Sequence, residues 1–378
     1  MEKMLELPEL EDILEQIIQI LPKEKIDLIT TEERLIKSVC KIREKLEIPG
    51  PRTKDIENIL DKELMLKTAS KSDGLKTLKF TVLNLAKINS IKMESRRIVT
   101  EIQKFPIFYS PIVVGGNIGC GKIKNEDELK KFILQESKSV KKGCYLLEEC
   151  INDLIEFWVW CVISADGECL PYSCSFGEKG VTTAEHNSGD PIIFQAHLID
   201  DKCENAFPKL TEFVQNVATI LRPPGPHIFG IKGFQRQTET SDYFFKDVFY
   251  GINGERETLD TFNSTKISHE TVALLCHLSQ NYSPKFECHE IPHRRLIWYP
   301  CVKGILQSQE ELSKKNSITS ELEYRWFINA GQKMETPTNL DNFMLCLTVE
   351  NSDLAALEKD TEFIRTNFHP HVIRDGST

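Results

Sequence analysis

Hydrophobic positions recur at helical spacing on both sides of a short apolar run within the first fifty residues. The apolar side chains of PELEDILEQIIQIL (8–21) fall on one helical face. A second helical pattern follows Thr30 and Glu33, which are spaced as a capping box. The intervening KIDLIT predicts a strand, and IPGP at 48–51 ends the unit. These residues therefore predict a small αβα unit that is too short for a complete domain.

Helical and strand patterns alternate through the rest of the chain. The helical patterns cover 53–69, a segment starting at Asn125 with Glu128 three residues on, 209–222, 268–280 and 352–367. Strand patterns cover 105–114, 144–151, the two sides of a hairpin turn at 166–167, 227–249 and three runs within 295–350. Hairpins dominate the middle of the chain. The mixture predicts an α+β fold, or mixed α/β, with antiparallel sheets.

Composition excludes several classes of function. The net charge of −10 argues against a general nucleic-acid-binding surface. The sequence has no apolar run of 18 residues, so we expect no membrane span, and its acidic N-terminus is unlike a secretory signal. Twelve cysteines without any CxxC pair indicate reduced thiols in a cytoplasmic protein and argue against structural zinc. Composition leaves the oligomeric state open.

One short motif points to a different chemistry. HEIPH at 289–293 matches the HExxH pattern of zinc proteases, in which both histidines lie on one face of a helix. Pro292 breaks the helical register directly before the second histidine. We therefore interpret this segment as the start of a strand rather than as a zinc site.

Five segments together resemble the ATP-grasp superfamily, in particular carboxylate–amine ligases of the carnosine-synthase and biotin-carboxylase-like kind. The resemblance extends over residues 24–365 and depends on the order of the segments, since no single motif is specific. In chain order the segments are 25–67, FPIFYSPIVVGGNIGCGKIKNEDELKKF (105–132), YLLEECINDLIEFWVWCVISADGE (145–168), PHIFGIKGF (226–234) and DYFFKDVFYGING (242–254).

The resemblance implies an ATP-grasp fold, in which two mixed or antiparallel sheets surround a nucleotide cleft. It implies a truncated N-terminal unit at 1–50, an ATP-grasp domain at 51–280 and a C-terminal α+β region at 281–378 that completes the fold. Within the ATP-grasp domain, 73–143 is the small lobe and 144–280 the hinge and core lobe. The implied cofactors are ATP and Mg²⁺, and the implied ligands are a nucleotide and a small carboxylate or amino acid.

The resemblance also implies residues for nucleotide binding. Lys62 matches a phosphate-binding lysine, the glycine-rich loop offers backbone N–H groups, and the segment after it matches an adenine- and ribose-binding hinge. The implied nucleotide-binding residues are Lys62, Gly115, Gly116, Asn117, Gly119, Glu148, Glu149, Ile151 and Glu156. Trp158 and Trp160 alternate along the next strand, and we interpret them as core and surface aromatics rather than as a cofactor clamp.

Several positions depart from the family's pattern. Ser110 replaces a second phosphate-binding lysine. At the metal-binding strands a histidine and a glutamate become Gly230 and Lys232, while Asp247 could keep one acid. Glu255 and Asp260 lie downstream as possible substitutes for the lost acids, and Arg256 as a possible substitute for the lost arginine. A small polar residue becomes Phe249 and an arginine becomes Gly251. We predict that Lys232 and Asp247 form an ion pair in the volume of the metal, which weighs against bound Mg²⁺.

These departures leave three functions open. The first is a nucleotide-binding ATP-grasp protein with impaired catalysis, a possible pseudoenzyme. The second is an active ATP- and Mg²⁺-dependent carboxylate–amine ligase that works through an acyl phosphate. The third is a non-catalytic module that uses the cleft to bind a partner or an unrelated ligand. No catalytic residue is assigned from the sequence.

Overall fold

The computed structural model describes residues 7–112, 120–138, 143–151, 153–179, 190–199, 201–236, 242–252, 267–279, 282–284, 293–312, 318–335 and 342–373. Within these ranges the helices are α1 (Leu7–Ile18), α2 (Glu33–Leu46), α3 (Glu57–Leu60), α4 (Lys62–Ser70), α5 (Ile91–Ile102), α6 (Glu126–Glu136), α7 (Asp201–Ala206), α8 (Leu210–Leu221), α9 (His269–Leu278) and α10 (Leu354–Asn367). None of these helices is long and apolar enough to cross a lipid bilayer.

The strands form three sheets. They are β1 (Lys76–Thr77), β2 (Phe80–Asn84), β3 (Ile107–Pro111), β4 (Gly121–Ile123), β5 (Cys144–Glu149), β6 (Leu154–Ile163), β7 (Cys169–Lys179), β8 (Ile192–Leu198), β9 (His227–Arg236), β10 (Asp242–Phe249), β11 (His293–Pro300), β12 (Gly304–Leu306), β13 (Glu321–Trp326), β14 (Lys333–Met334), β15 (Phe343–Asn351) and β16 (Val372–Ile373). His293 thus begins a strand, as predicted, whereas 289–292 lie outside the described residues.

The two N-terminal helices pack against each other through their apolar faces. Leu14 of α1 and Ile42 of α2 are buried together with Ile48, at the helical spacing that predicted both elements. The predicted capping box does not form. The N-cap of α2 is Glu32, whose side chain makes no cap hydrogen bond, and its backbone N–H donates to Thr30 Oγ1 at 3.2 Å. Glu33 is therefore not engaged in capping.

The strand predicted at KIDLIT is wrong. Residues 26–31 are extended but belong to no sheet, and the isolated bridge beside them joins Glu32 to Ile252. Their carbonyl groups bind other donors. The Arg43 guanidinium donates to the Leu28 carbonyl, and the Ile252 N–H donates to the Thr31 carbonyl at 2.6 Å. These two carbonyl groups are therefore satisfied without a neighbouring strand.

A break at Asp61 divides the helix predicted over 53–69. The chain makes a 3₁₀ turn at Thr53–Asp55, then α3, and Asp61 takes an extended conformation before α4. The Asp61 carboxylate accepts a hydrogen bond from the Leu64 N–H at 2.9 Å, which is the geometry of an N-cap. Lys62 is therefore the first residue of a helix whose start is fixed by this hydrogen bond.

The smaller four-stranded sheet has the order β2-β5-β3-β4. Helices α5 and α6 cover one face through a buried cluster, and Asn125 caps α6 by accepting the Glu128 N–H, as its sequence predicts. Gly121 opens β4 opposite Tyr109, whose hydroxyl would lie 2.6 Å from any Cβ at that position. This glycine is required by the tyrosine ring above it.

The larger sheet has nine strands in the order β1-β10-β9-β6-β7-β8-β11-β15-β13. Its pairs are antiparallel except for the parallel pair of β1 and β10. The Asp-Gly turn predicted between β6 and β7 is present, and Gly167 has φ of +86° there. Strands β14-β12-β16 make a small third sheet. The predicted fold class, α+β with mixed and antiparallel sheets, is confirmed.

The two faces of the large sheet differ along β6, where successive side chains point in opposite directions. Phe157 and Val159 pack with α8 in the main core on the back face. Glu156, Trp158 and Trp160 alternate with them and lie on the front face. Both tryptophans are buried, so the expectation that one is a surface aromatic is wrong. Trp160 packs against α9.

Gly251 brings the N-terminal segment against the large sheet. It has φ of +139°, and an added Cβ would lie 2.8 Å from the Thr31 carbonyl and 3.4 Å from the Glu33 backbone nitrogen. A side chain is excluded here both by backbone conformation and by crowding. The arginine that the family pattern expects at this position would displace the segment that carries Glu33.

We expect Gly251→Ala to lower the free energy of unfolding by about 2 kcal/mol, because strain and crowding add. Gly331→Ala is the matched control, since Gly331 also has positive φ, +81°, but nothing lies within 4 Å of its added Cβ. Urea unfolding measures both. Equal losses for the two variants would show that the contact with the N-terminal segment contributes nothing.

Candidate functional site

Lys62 and Asp247 form an ion pair at the start of α4. The Asp61 cap orients the first turn, and Lys62 Nζ lies 2.6 Å from Asp247 Oδ2 on β10. Burial lowers the pKa of Lys62, but Asp247, Glu33 and Glu148 together outweigh this effect and leave the pKa raised. The first phosphate lysine predicted from the sequence therefore lies among three carboxyl groups, and one of them binds it directly.

A β-bulge in β10 places two adjacent charged residues at the same site. The pairing with β9 shifts between Phe245 and Asp247, so that Lys246 is the extra residue. Lys246 forms an ion pair with Glu148 of β5, and Asp247 binds Lys62. The bulge thus contributes a cation and an anion to the space between the two larger sheets.

Lys232 binds a different carboxylate from the one predicted. It lies opposite Asp247 in the register of β9 and β10, but its Nζ is 2.6 Å from Glu156 Oε1 on β6. The predicted pair of Lys232 and Asp247 is therefore wrong, because each residue has a nearer partner on another element. The Lys232 ammonium also lies 4.8 Å from the centre of the Trp158 ring, a cation–π distance.

Glu33 is the fourth acidic group at the site. Burial, together with the neighbouring Asp247, raises its pKa from the ordinary 4.5 to about 7, although Lys62 opposes the rise. The close approach at Gly251 positions this residue. A carboxyl group with this pKa is partly protonated near neutral pH and can donate as well as accept a hydrogen bond.

The lysines converge on one region. Burial raises the pKa of the Cys120 thiol at the start of β4, and Lys246, Lys232 and Lys62 all oppose that rise. The Lys246 ammonium also lies 5.6 Å from the ring centre of Phe108 on β3. All three cations therefore act on the space around Cys120.

The remaining predicted residues are placed differently. Gly115, Gly116, Asn117 and Gly119 lie outside the described residues. The Glu149 carboxylate accepts the Lys79 N–H at 2.9 Å, whereas the preceding Glu148 faces the ion-pair network. Ile151 packs against a small apolar cluster of Leu78, Leu154 and Phe234. Of the predicted residues, the structure brings Lys62, Glu148, Glu156 and Asp247 together.

Aromatic side chains fill the floor beside the ion pairs. A Cβ at Gly230 would lie 2.8 Å from the Trp160 ring, so the indole occupies the space of the histidine in the family's pattern. Phe249 is 8% exposed and belongs to a buried cluster with Trp158, Phe194 and Trp298. This part of the front face is therefore packed and apolar.

The donor set that the described residues provide does not suit Mg²⁺. The ion prefers several oxygen ligands in a regular octahedron, and within the described ranges no group of three or more histidine, cysteine, aspartate or glutamate side chains is arranged to hold a metal. Glu148, Glu156 and Asp247 are each bound to a lysine. A cation held by these carboxylates would first have to displace the ammonium groups.

Solved structures share this arrangement of sheets and helices. An L-amino acid ligase from Bacillus licheniformis is similar with a TM-score of 0.65 and 17% identity, over 98% of this chain and 86% of the ligase. The biotin carboxylase domain of the Hydrogenobacter thermophilus 2-oxoglutarate carboxylase, solved with MgADP, ADP and bicarbonate, is similar with a TM-score of 0.62 and 14% identity, over 99% of this chain and 81% of that chain. The chain has the ATP-grasp fold.

The similarity is one of structure. N5-carboxyaminoimidazole ribonucleotide synthetase from Thermotoga maritima shares the ATP-grasp fold at 16% identity and a TM-score of 0.53, over 93% of this chain and 84% of that chain. No family model and no curated protein matches the sequence. Since a fold does not determine an activity, the function has to be argued from the residues in the cleft.

Sequence reasoning missed two residues of this site. Lys246 lies within the FKDV segment that identified β10, but alternation along an ideal strand does not place it beside Asp247, and a bulge is not readable from that pattern. Glu33 was assigned to a helix cap, and its approach to the cleft depends on Gly251, which lies far away in the sequence. The glycine at position 251, with its positive φ, is the feature that connects Glu33 with the cleft.

The raised pKa of Glu33 predicts how stability varies with pH. The folded protein holds this proton up to about pH 7 and the unfolded chain only to 4.5, so the contribution of Glu33 is complete below pH 4.5 and is lost as pH rises through 7. Glu33→Gln should therefore raise the melting temperature more at pH 8 than at pH 5. Thermal unfolding at both values tests this, with Glu32→Gln on the adjacent exposed residue as the control. An equal change at both pH values would contradict it.

The pair of Lys232 and Glu156 should be the one most sensitive to loss of a partner. Its side chains are 12% and 4% exposed, and Glu156→Gln removes the carboxylate that lies 2.6 Å from this buried ammonium, at a cost of about 3 kcal/mol. The double variant Lys232→Met/Glu156→Leu should recover most of this loss, since apolar side chains need no counter-charge.

Urea unfolding measures these changes against a matched control. Asp242→Asn breaks the exposed pair with Lys76 on the same sheet, whose Nζ–Oδ1 distance is also 2.6 Å. We expect it to cost less than about 1 kcal/mol. If Glu156→Gln costs no more than Asp242→Asn, the pair in the cleft does not stabilise the fold.

Proposed function

We propose that this ATP-grasp protein binds nucleotide phosphates through Lys62, Lys232 and Lys246, without requiring Mg²⁺, and that carboxylate–amine ligation is impaired. The proposal rests chiefly on one observation. Each of Glu148, Glu156 and Asp247 is bound to one of these lysines. The acids that would hold a metal are therefore neutralised by the cations that would hold phosphate.

The balance of charge explains why binding should be weak. Among the described residues of the cleft, three ammonium groups are paired with three carboxylates, and the raised pKa of Glu33 keeps much of its charge neutralised near pH 7. Phosphate oxygens would have to compete with carboxylate oxygens that already lie 2.6 Å from Lys62 and Lys232. Exchanging one anion for another gains less free energy than binding to unpaired lysines.

Lys246 supports nucleotide binding despite the loss of a lysine at Ser110. Phe108 and Ser110 are two residues apart on β3 and so lie on the same face of the small sheet. The Lys246 ammonium lies 5.6 Å from the Phe108 ring centre. A cation from β10 thus lies near the face from which the missing lysine would extend.

Fewer contacts support the binding of the nucleoside than support the binding of the phosphates. The predicted ribose ligand, Glu156, is bound by Lys232, so a ribose hydroxyl would have to share this carboxylate. Glu148 is similarly bound by Lys246. We propose that the backbone around Ile151 faces adenine, as the hinge of the sequence pattern implies, while the phosphate contacts dominate affinity.

Catalysis of phosphoryl transfer would need more than charge neutralisation by lysines. The reaction requires the transferring group to be held in line while its developing charge is stabilised, commonly by a metal that bridges phosphate oxygens. Lys232 carries a positive charge where the family's pattern has a carboxylate. ATP could therefore be held in the cleft without a metal positioned for transfer.

A second function, binding of a protein partner or an unrelated ligand, is favoured by one observation. Phe249 and its aromatic neighbours fill the floor on which a substrate would lie. A protein that keeps the fold but closes this floor would act through its surface rather than through chemistry in the cleft.

Calorimetry of ATP binding separates these functions. We expect measurable binding whose affinity is the same with Mg²⁺ present and with Mg²⁺ removed by a chelator, and no phosphate release with mixed amino acids. Lys246→Met should weaken binding by about tenfold, which is about 1.4 kcal/mol. Lys92→Met on the exposed surface of α5 is the matched control.

Other outcomes identify the alternatives. Strict dependence on Mg²⁺ with phosphate release stimulated by amino acids would establish an active ligase and overturn the proposal. An absence of ATP binding under either condition would leave the partner-binding module, and the unchanged affinity of Lys246→Met would exclude this lysine from the site.

A further inference from the structure

A second pocket, of about 370 Å³, lies behind the large sheet. Ile155 lines it, whereas the next residue, Glu156, faces the nucleotide cleft, so the two cavities lie on opposite faces of β6. Strands β7, β8 and β11 and helix α10 supply most of the wall.

The charges around this pocket are unequal. Three carboxylates, Glu178, Glu358 and Glu362, line it, and two guanidinium groups bind them. Arg365 lies 3.3 Å from Glu178 and 2.8 Å from Glu362, while Arg295 lies 3.8 Å from Glu358. Among the described residues, the carboxylates that line the pocket therefore outnumber these guanidinium groups by one. Burial raises the pKa of Glu178, Arg365 opposes the rise, Glu362 adds to it and Arg295 also opposes it.

The floor of the pocket is apolar and aromatic. The rings of Phe176 and Phe207 are stacked with their centres 3.7 Å apart and an interplanar angle of 5°. Ile155 and Ile193 extend this surface. Apolar walls favour a ligand with a hydrocarbon body.

A buried hydroxyl group adds a hydrogen-bonding site. Thr361 is 6% exposed and lines the pocket, and its Oγ1 has no hydrogen-bond partner among the described residues. The Gln195 carbonyl oxygen is already bound by Arg295. An unpaired hydroxyl oxygen beside surplus carboxylate charge is suited to accept a hydrogen bond from an N–H donor.

We propose that this pocket binds a small organic ammonium ion with an aromatic or aliphatic body. The surplus carboxylate would neutralise the ammonium group, and the stacked phenylalanines would contact the hydrocarbon part. The site is separate from the cleft, so its test does not depend on whether the cleft binds nucleotide.

The test compares three probes of nearly equal shape on the full chain. We expect 2-phenylethylammonium to bind in calorimetry and to raise the melting temperature, whereas 2-phenylethanol and 3-phenylpropionate should bind at least about tenfold more weakly, because they lack the cation. L-Phenylalanine should also bind more weakly than the amine, since its carboxylate meets the surplus negative charge. This comparison needs no variant and does not depend on how a substitution affects folding.

Variants locate the binding in this pocket. Glu178→Gln should weaken binding of 2-phenylethylammonium by about tenfold or more, while Glu321→Gln, at an exposed position on β13 of the same sheet, should leave it unchanged. The proposal is overturned by equal affinity for the alcohol and the amine, by tighter binding of L-phenylalanine, by unchanged affinity of Glu178→Gln, or by an absence of amine binding.

Discussion

The pairing of lysines with carboxylates at the front of the large sheet determines both the shape and the chemistry of this molecule. The pair of Lys246 and Glu148 joins β10 to β5 of the small sheet, and the pair of Lys62 and Asp247 joins α4 to β10. Lys232 and Glu156 connect neighbouring strands. Because these side chains are largely buried, none can lose its partner without leaving a charge in a poorly solvated place. The groups that would bind ATP are thus also the groups that hold the two lobes together.

This arrangement links affinity to stability. A phosphate that binds Lys62 has to release Asp247, and the freed carboxylate lies close to Glu33, whose proton would then be held more tightly. Ligand binding and the protonation of Glu33 are consequently coupled. The contact at Gly251 contributes to this coupling because it positions Glu33. In a site whose lysines have no carboxylate partners, a phosphate would not have to compete with carboxylates for the ammonium groups.

The fold was largely predictable from the sequence, whereas the partners within the site were not. Helical spacing predicted α1 and α2, the Asp-Gly turn predicted the β6–β7 hairpin, and Asn125 predicted the start of α6, because these features depend on nearby residues. The partner of Lys232 depends on a neighbouring strand and a bulge, which alternation alone does not reveal. KIDLIT has the composition of a strand but pairs with a guanidinium and a single backbone bridge. The domain divisions at residues 50 and 280 stay predictions.

The contact between Gly230 and the Trp160 ring limits which substitutions the site can accept. A side chain at position 230 would collide with the indole, so a metal-binding histidine there would need a smaller residue at 160 as well. Trp160 in turn packs against α9, and shrinking it would open a cavity in that cluster. A histidine at position 230 and a smaller residue at position 160 would therefore each be disfavoured as a single substitution. The indole ring thus makes the identity of residue 230 depend on that of residue 160.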